Sequence, residues 1–290
     1  MRSLIFGASG QDGHYLAELC RSRGILPIGV SRSTGDRCGD VADFAFVDSL
    51  VGEYSPAYIF HLAARSTTHH DALFENNATI TEGTVNLLEA ARRHCPDARI
   101  FIAGSGLQFK NTGAPISADD PFEPLSAYAA ARIASTFMAR YYRSLGMKTY
   151  VGYLFHHESP LRKPEHVSKQ VALAVRRILQ REQEVLDIGD LTVAKEWTFA
   201  GDVAEAIMTL VDQDSVFEAA IGSGITYTIR EWVEACFRSA GLDWQQYVRV
   251  KEGFAPEYRL LVSDPSAIRR LGWAPRIGFE ELATMMVQQP

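Results

Sequence analysis

The stretch LIFGASGQDG, residues 4–13, decides the fold that this sequence predicts. A short apolar run leads directly into three glycines spaced three residues apart, and a helical pattern follows from about residue 14. Glycines at that spacing permit a tight turn, close approach of the backbone to a pyrophosphate, and close packing of the helix on the strand. We therefore interpret the stretch as a dinucleotide-binding turn. The residues expected to contact the cofactor here are Gly7, Ser9, Gly10, Gln11, Asp12 and Gly13.

Short β-type runs alternate with helical patterns through the first 155 residues. Predicted strands cover residues 3–6, 25–30, 44–48, 57–64, 99–103 and 149–155, and predicted helices begin at about residue 14 and cover 80–94 and 128–145. Such alternation predicts a parallel sheet with helices on both faces and right-handed crossovers. The predicted fold class is α/β, a Rossmann-type doubly wound parallel sheet, with the dinucleotide-binding domain over residues 1–155.

The pattern becomes irregular over residues 156–290. Predicted helices cover residues 165–181, 202–211 and 230–240, one strand covers 185–188, and a short capped helix follows Asp264. We interpret this part as a smaller lobe that mainly binds the substrate and exchanges strands with the first domain.

Composition excludes several classes of function. The chain of 290 residues is 47% hydrophobic and 22% charged, so it can bury a core without disulfides or structural metal. A net charge of -6 without a basic run argues against nucleic acid, and no segment is apolar for the roughly 18 residues of a membrane span. Because the four cysteines form no CxxC or zinc-type pair, we expect reduced thiols, no metal site and a cytoplasmic location.

The end of the second predicted strand indicates which cofactor binds. NAD sites usually carry Asp or Glu at this point, whereas here Ser31, Arg32 and Ser33 follow. Arg32 can pair with a 2′-phosphate, which favours NADP and leaves NAD possible; alternatively it is a solvated loop arginine. Asp48, at the end of the third predicted strand, is expected to accept from the adenine amino group, or else to cap a turn.

Three residues form a candidate catalytic set. Ser105 closes the run at 99–103 and is therefore expected at the carboxyl edge of a central strand, where open α/β sheets bind ligands. Tyr128 and Arg132 lie one helical turn apart and share a face.

At these residues the sequence resembles the extended short-chain dehydrogenase/reductases. Their signature is a Ser or Thr that ends a strand and a later Tyr-x-x-x-Lys on a helix; here Arg132 replaces the Lys. Within that class the chain is most similar to the GDP-mannose 4,6-dehydratase family. The similar segments are GQDG at 10–13, YLAEL at 15–19, HESP at 157–160, GDL at 189–191, KEW at 195–197, DPS at 264–266 and LGW at 271–273.

The resemblance implies a reaction at C4 of a nucleotide-activated, GDP-linked hexose. In the family the Tyr takes the sugar O4 proton while hydride passes to NADP, the Lys holds the nicotinamide ribose, and a Glu assists removal of the C6 hydroxyl. Leu107 stands at that Glu and cannot exchange a proton. Ser105 with Gly106 instead resembles the related GDP-4-keto-6-deoxymannose reductases, which need no such carboxylate. A 4-keto-sugar reductase is therefore favoured, with Ser105 bonding the reacting oxygen, Tyr128 exchanging its proton and Arg132 holding cofactor ribose.

Two alternatives stay open: a 4,6-dehydratase with another acid in place of the Glu, and a catalytically silent NADP-binding homologue. The resemblance also implies a homodimer or homotetramer, formed through helices near 80–91 and 134–142. Further cofactor contacts implied by it are Leu62, Ala63, Ala64 and His157, beside Tyr128 and Arg132. The substrate contacts implied are His156, Glu158, Arg162, Val167, Lys169, Gly189, Lys195 and Glu257, although without the resemblance the two lysines are ordinary solvated side chains and Glu257 a turn carboxylate.

Overall fold

The computed structural model describes residues 1–182, 185–251, 253 and 256–289. Its strands are β1 (Arg2–Phe6), β2 (Leu26–Ser31), β3 (Arg37–Cys38), β4 (Tyr58–His61), β5 (Arg99–Ser105), β6 (Lys148–Leu154), β7 (His157–Glu158), β8 (Leu186–Ile188), β9 (Ala194–Glu196), β10 (Thr198–Phe199), β11 (Glu218–Ile221), β12 (Thr226–Thr228), β13 (Val248–Val250) and β14 (Leu260–Leu261). Its helices are α1 (Gln11–Ser22), α2 (Phe44–Tyr54), α3 (Leu73–Asn76), α4 (Gly83–His94), α5 (Ala127–Ser144), α6 (Val167–Leu179), α7 (Ala200–Val211), α8 (Ile229–Ser239), α9 (Ser266–Arg270) and α10 (Phe279–Gln288).

A seven-stranded sheet forms the centre, in the order β11-β6-β5-β4-β1-β2-β3, and every neighbouring pair in it is parallel. The strand order reverses between β1 and β4, because the chain runs outward from β1 to β3 and then returns to β4 on the other side. Loops that leave adjacent strands in opposite directions open a crevice at the carboxyl edge, where such sheets bind ligands. The predicted doubly wound α/β fold is confirmed.

Helices cover both faces of this sheet because its strands are apolar on both. Leu4 and Phe6 of β1 join one buried cluster with α2, α4 and α5, while Ile5 joins a second cluster with α1 and α7. A Leu, Ile or Phe side chain contributes about 1.5–3 kcal/mol when fully buried, so the two clusters hold the sheet rigidly beneath the site.

The predicted strand at 44–48 was wrong. Residues Phe44–Tyr54 form helix α2, and the third strand is the short β3 that precedes it. Asp43 caps the helix, since its side chain accepts from the backbone N–H of Ala45 at 3.0 Å and of Phe46 at 3.3 Å. A short apolar run is compatible with either a strand or a buried helix. The capping aspartate is the sequence feature that distinguishes the helix.

The later part of the chain builds smaller layers. Strands β12-β9-β14, β8-β13 and β7-β10 form three small sheets, and α6, α8 and α10 pack together in a separate buried cluster. In that cluster the rings of Trp197 and Trp232 stack with centroids 4.3 Å apart. Strand β11 nevertheless pairs with β6 in the main sheet, so residues beyond 155 extend the first layer, and the division at residue 155 stays a prediction. Within the described ranges no helix is both long and apolar enough to cross a membrane.

Candidate active site

The glycine turn between β1 and α1 is shaped for a pyrophosphate. Gly7 has a φ of +95°, and a Cβ there would lie 2.7 Å from the backbone N of Ala63. A Cβ at Gly13 would lie 2.5 Å from the carbonyl oxygen of Gly7, so both positions require glycine. Gly10 is the N-cap of α1 and no described side chain caps it, which leaves the first N–H groups of the helix for an anion. The turn therefore fits the diphosphate of a dinucleotide.

The segment after β4 lies against this turn. The backbone N–H of Leu62 donates to the carbonyl of Phe6 at 2.8 Å, which continues the pairing of β1 with β4 to the crevice. This segment, Leu62, Ala63 and Ala64, thus follows β4 at the point where the strand order reverses, which is where a contact with the cofactor is expected. The contact itself stays a prediction.

A cavity of about 170 Å³ lies at the carboxyl edge of β5 and β6. It brings together residues from five separated parts of the sequence: the glycine turn, the segment after β4, the β5–α5 region, the HESP segment with its flanking residues, and the region of residues 258–261. Its walls include the predicted site residues Asp12, Leu62, Ser105, Tyr128, Arg132, His156, His157 and Arg162. Sequence reasoning missed further wall residues, among them Ser66, His166, Tyr258 and Leu261.

Tyr128 and Arg132 are bonded to each other on α5. Nε of Arg132 donates to the hydroxyl of Tyr128 at 3.2 Å, and Nη1 donates to the carbonyl of Ala103 at the end of β5. Only 4% of Arg132 is exposed. The guanidinium is therefore anchored to the central sheet and fixes the position of the phenol oxygen in the cavity.

Ser105 ends β5, and its hydroxyl faces the same cavity. Its Oγ accepts from the N–H of Leu107 at 3.2 Å, and its own N–H donates to Oε1 of Gln108 at 2.9 Å. Gln108 in turn donates to Oγ1 of Thr136 on α5 at 3.1 Å. Because Oγ serves as the acceptor for Leu107, its hydrogen can point to a ligand oxygen. Gln108 is a positioning residue that sequence reasoning missed.

The QDG and HESP segments are joined by direct contacts. Nε2 of His157 lies 2.8 Å from Oδ1 of Asp12, Gln11 donates to the carbonyl of His157 at 3.3 Å, and Ser159 donates to Gln11 at 2.8 Å. Burial favours the neutral imidazole, but the carboxylate of Asp12 outweighs it and raises the pKa of His157. Burial likewise opposes ionisation of Asp12, yet the interaction with His157 lowers the pKa of that carboxyl. Both shifts favour the ion pair, which ties the glycine turn to the HESP segment.

Glu158 lies behind this wall and contacts two wall residues. It is fully buried, with Oε2 accepting from Nε of Arg162 at 2.8 Å and Oε1 lying 2.8 Å from Nε2 of His156. Burial opposes its ionisation, but Arg162 and then His156 lower the pKa of this carboxyl. Oε2 is bonded to Arg162, whereas Oε1 has no hydrogen-bond partner among the described groups, and burial lowers the pKa of the neighbouring His156 to about 3. Glu158 therefore holds Arg162 in place by an ion pair and lies against a neutral His156.

The other predicted substrate residues do not line this cavity. The ammonium of Lys169 donates to the carbonyl of Pro160 at 2.6 Å, and Lys195 lies with Nζ 5.2 Å from the centre of the Trp197 ring. Burial lowers the pKa of Lys195 to about 8. Val167 begins α6, Gly189 follows β8, and Glu257 is exposed and accepts from Thr68 at 3.4 Å. Their predicted contacts with substrate stay predictions.

The structure changes which aspartate lies at the carboxyl edge next to the third strand. Asp48 lies within α2, and its carboxylate is 3.1 Å from Nε2 of His94, the last residue of α4. Because α4 runs back toward the start of β5, this pair lies toward the edge opposite the crevice, and the expected role of Asp48 with adenine loses its basis. Asp40 follows β3 at the carboxyl edge, where its Oδ1 accepts from the backbone N–H of Ala42 at 2.9 Å; a contact between Asp40 and the cofactor is a prediction.

A parallel sheet with this strand order, a glycine turn at β1 and a Ser–Tyr–cation set at β5 and α5 define an extended short-chain dehydrogenase/reductase. The family model for GDP-mannose 4,6 dehydratase matches residues 4–286. The chain belongs to the GDP-mannose 4,6-dehydratase family. This match confirms the family resemblance that the sequence motifs indicated. It also confirms, at the level of the family, the prediction of an NAD(P)-dependent enzyme that acts on nucleotide sugars.

Individual relatives agree with this placement. GDP-mannose 4,6 dehydratase 1 of Arabidopsis thaliana is 30% identical over 99% of this chain and 89% of its own length. GDP-mannose 4,6-dehydratase of Sinorhizobium fredii is 29% identical over 99% of this chain and 95% of its own length. Among solved structures, RMD from Pseudomonas aeruginosa complexed with NADPH has a TM-score of 0.86 at 21% identity, covering 99% of this chain and 98% of that one. UDP-glucose 4-epimerase of Thermus thermophilus in complex with NAD has a TM-score of 0.84 at 23% identity, covering 100% of this chain and 98% of that one. These two structural similarities show that the fold is shared.

Proposed function

We propose that this protein is an NADP-dependent oxidoreductase that reduces the C4 ketone of a nucleotide-activated, GDP-linked hexose. The observation that carries the proposal is the cavity itself. It holds Ser105, Tyr128 and Arg132 together, and Leu107 lies where the dehydratase pattern has a glutamate. Among the described wall residues the carboxylate is that of Asp12, which is paired with His157. Proton exchange at one sugar oxygen is thus supported, and acid-assisted loss of a hydroxyl is not.

The glycine turn would hold NADPH, which would supply the hydride for the sugar C4. Ser105 donates its hydroxyl hydrogen to the ketone oxygen and polarises the carbonyl. Tyr128 then gives its phenolic proton to the same oxygen, which leaves a neutral C4 hydroxyl and a phenolate. Arg132 stabilises the phenolate through the Nε–H bond already present, until solvent returns the proton.

Two wall residues, Arg162 and Tyr258, and Lys195 outside the wall would hold the sugar nucleotide. Arg162, fixed by Glu158, and Lys195, with its amine buried beside the same carboxylate, supply positive charge for a diphosphate. Burial raises the pKa of Tyr258 to about 12, so that phenol stays protonated and serves as a donor to the hexose.

The test is an assay with two substrates. With GDP-4-keto-6-deoxymannose and NADPH we expect loss of NADPH fluorescence and a reduced sugar. With GDP-mannose and no added NADPH we expect no 4-keto-6-deoxy product. The reverse pattern would establish the second candidate, the 4,6-dehydratase, which is favoured by the names of the curated relatives.

A homodimer is part of the proposal. Phe137 and Tyr141 lie one turn apart on α5 and are 52% and 54% exposed, which is a large apolar face for a helix of a monomer. Light scattering on the purified chain tests it, with Tyr141→Lys expected to shift the mass toward the monomer.

A further inference from the structure

Two arginines hold one carboxylate at the adenosine end of the dinucleotide site. Nη2 of Arg32, the residue after β2, lies 3.0 Å from Oε1 of Glu75. Nη1 of Arg65, in the loop after β4, lies 2.9 Å from Oε2 of the same residue. The carboxylate on α3 thus bridges guanidinium groups that come from two strand ends.

The place of this bridge follows from the sheet order. β2 and β4 flank β1, whose end carries the glycine turn. In such sheets the adenosine ribose lies beside the end of the second strand, where an acidic residue accepts from its hydroxyls or an arginine accommodates a 2′-phosphate. No acidic residue follows β2 directly, since Ser31 is succeeded by Arg32 and Ser33. The fold brings one in from α3; a second, Asp36 just before β3, accepts through Oδ2 from the backbone N–H of Gly29 at 2.8 Å.

NAD and NADP require opposite charges at this position. The ribose hydroxyls of NAD are donors, so they are bound by a carboxylate. The 2′-phosphate of NADP is a dianion, which is attracted by arginines and repelled by a carboxylate between them. The hydrogen bond from Arg65, together with Arg32, lowers the pKa of Glu75, so the carboxylate keeps its charge at neutral pH.

We propose that Glu75 sets the discrimination between NAD and NADP in this protein. It accepts from the ribose hydroxyls of NAD, and it is the anion that the 2′-phosphate of NADP must displace from Arg32 and Arg65. The proposal rests on the dinucleotide site of the proposed function and is independent of the sugar chemistry.

The test is a binding titration that follows the fluorescence of NADPH and of NADH with the purified full chain and no sugar. In Glu75→Gln we expect NADPH to bind about tenfold more tightly and NADH several-fold more weakly, because one charge is removed beside the phosphate and one strong acceptor beside the ribose. Arg32→Gln should weaken NADPH by about tenfold and leave NADH nearly unchanged. Glu281→Gln, on the exposed face of α10, is the matched control and should alter neither.

The outcome that overturns the proposal is a Glu75→Gln protein in which both affinities change in the same direction or neither changes. Weaker binding of NADPH alone would also overturn it, since Glu75 would then only orient Arg32 for the phosphate. Each of these results leaves the proposed reaction intact as long as the wild-type chain binds a nucleotide. A wild-type chain that binds neither nucleotide would remove this inference and the proposed function together.

Discussion

Arg132 donates from Nε to the hydroxyl of Tyr128 one helical turn earlier, and the same guanidinium is tied to the carbonyl of Ala103 at the end of the central strand. The family pattern has lysine at this position. A lysine carries its donors on one nitrogen, whereas the guanidinium reaches two acceptors in different directions from a planar group. The substitution therefore keeps a positive charge beside the phenol and adds a fixed anchor.

Tyr128→Phe removes the proton donor without changing the packing of the ring. We expect kcat to fall about 100- to 10,000-fold, the usual contribution of general acid–base catalysis, with nicotinamide nucleotide affinity almost unchanged. Steady-state kinetics with a 4-keto sugar and a separate NADPH titration measure the two quantities. Tyr54→Phe, at the end of α2 and outside the cavity wall, is the control and should keep full activity. Equal activity in both variants would remove Tyr128 from the mechanism.

Arg132→Lys and Arg132→Met separate charge from geometry. We expect kcat to fall about tenfold in the lysine variant, where charge remains and the second acceptor is lost, and about 100-fold in the methionine variant. Arg177→Met on α6 controls for loss of a surface charge. A lysine variant faster than the wild-type protein would show that arginine is a handicap at this site.

Leu107→Glu restores the carboxylate of the dehydratase pattern. Leu107 lines the cavity with Ser105 and Tyr128, so a glutamate there can protonate a leaving hydroxyl. We expect the variant to convert GDP-mannose to a 4-keto-6-deoxy product that wild-type protein does not form, detected by mass spectrometry. Leu107→Gln has the same shape without the acid and should stay inactive in this assay. A wild-type chain that already forms the product would contradict the assignment as a reductase.

The ion pair of Asp12 and His157 predicts a pH dependence of stability. The pKa of His157 is raised from its ordinary 6.5, so the folded state holds a proton that the unfolded state releases. The pair therefore stabilises the fold fully below about pH 6.5, and this contribution is lost as pH rises through the raised pKa. At low pH the same contribution to stability is lost as the pH falls through the lowered pKa of Asp12. In urea unfolding at about pH 6 we expect Asp12→Asn to lower the free energy of unfolding by roughly 1–2 kcal/mol, and at about pH 9 by much less. An equal difference at both pH values would contradict the ion pair.

The corrected placement of the aspartates predicts two different effects on cofactor binding. Asp40 follows β3 at the carboxyl edge, so Asp40→Asn should weaken NADPH binding about tenfold by loss of a charged hydrogen-bond acceptor. Asp48→Asn breaks the contacts with His94 and Arg93 on α4 and should leave the affinity for NADPH unchanged. The reverse result in a fluorescence titration would restore the adenine role to Asp48.

Some parts of this site can be predicted from the sequence alone, and others cannot. The glycine turn and the Tyr128–Arg132 face could be predicted, because each depends on spacing within a single element junction or helix. The Glu75 bridge and the bond of Gln108 to Thr136 could not, since they join groups whose approach is set by packing of distant elements. The third strand was misplaced because a short apolar run fits a strand and a buried helix equally well.

The most direct measurement is isotope transfer from NADPH that carries deuterium at its transferable position. The wild-type chain should place that deuterium at C4 of the sugar when given GDP-4-keto-6-deoxymannose, as read by NMR, and Tyr128→Phe should place almost none. A sugar without deuterium at C4, recovered from wild-type protein that binds both the nucleotide and the sugar, would contradict the account.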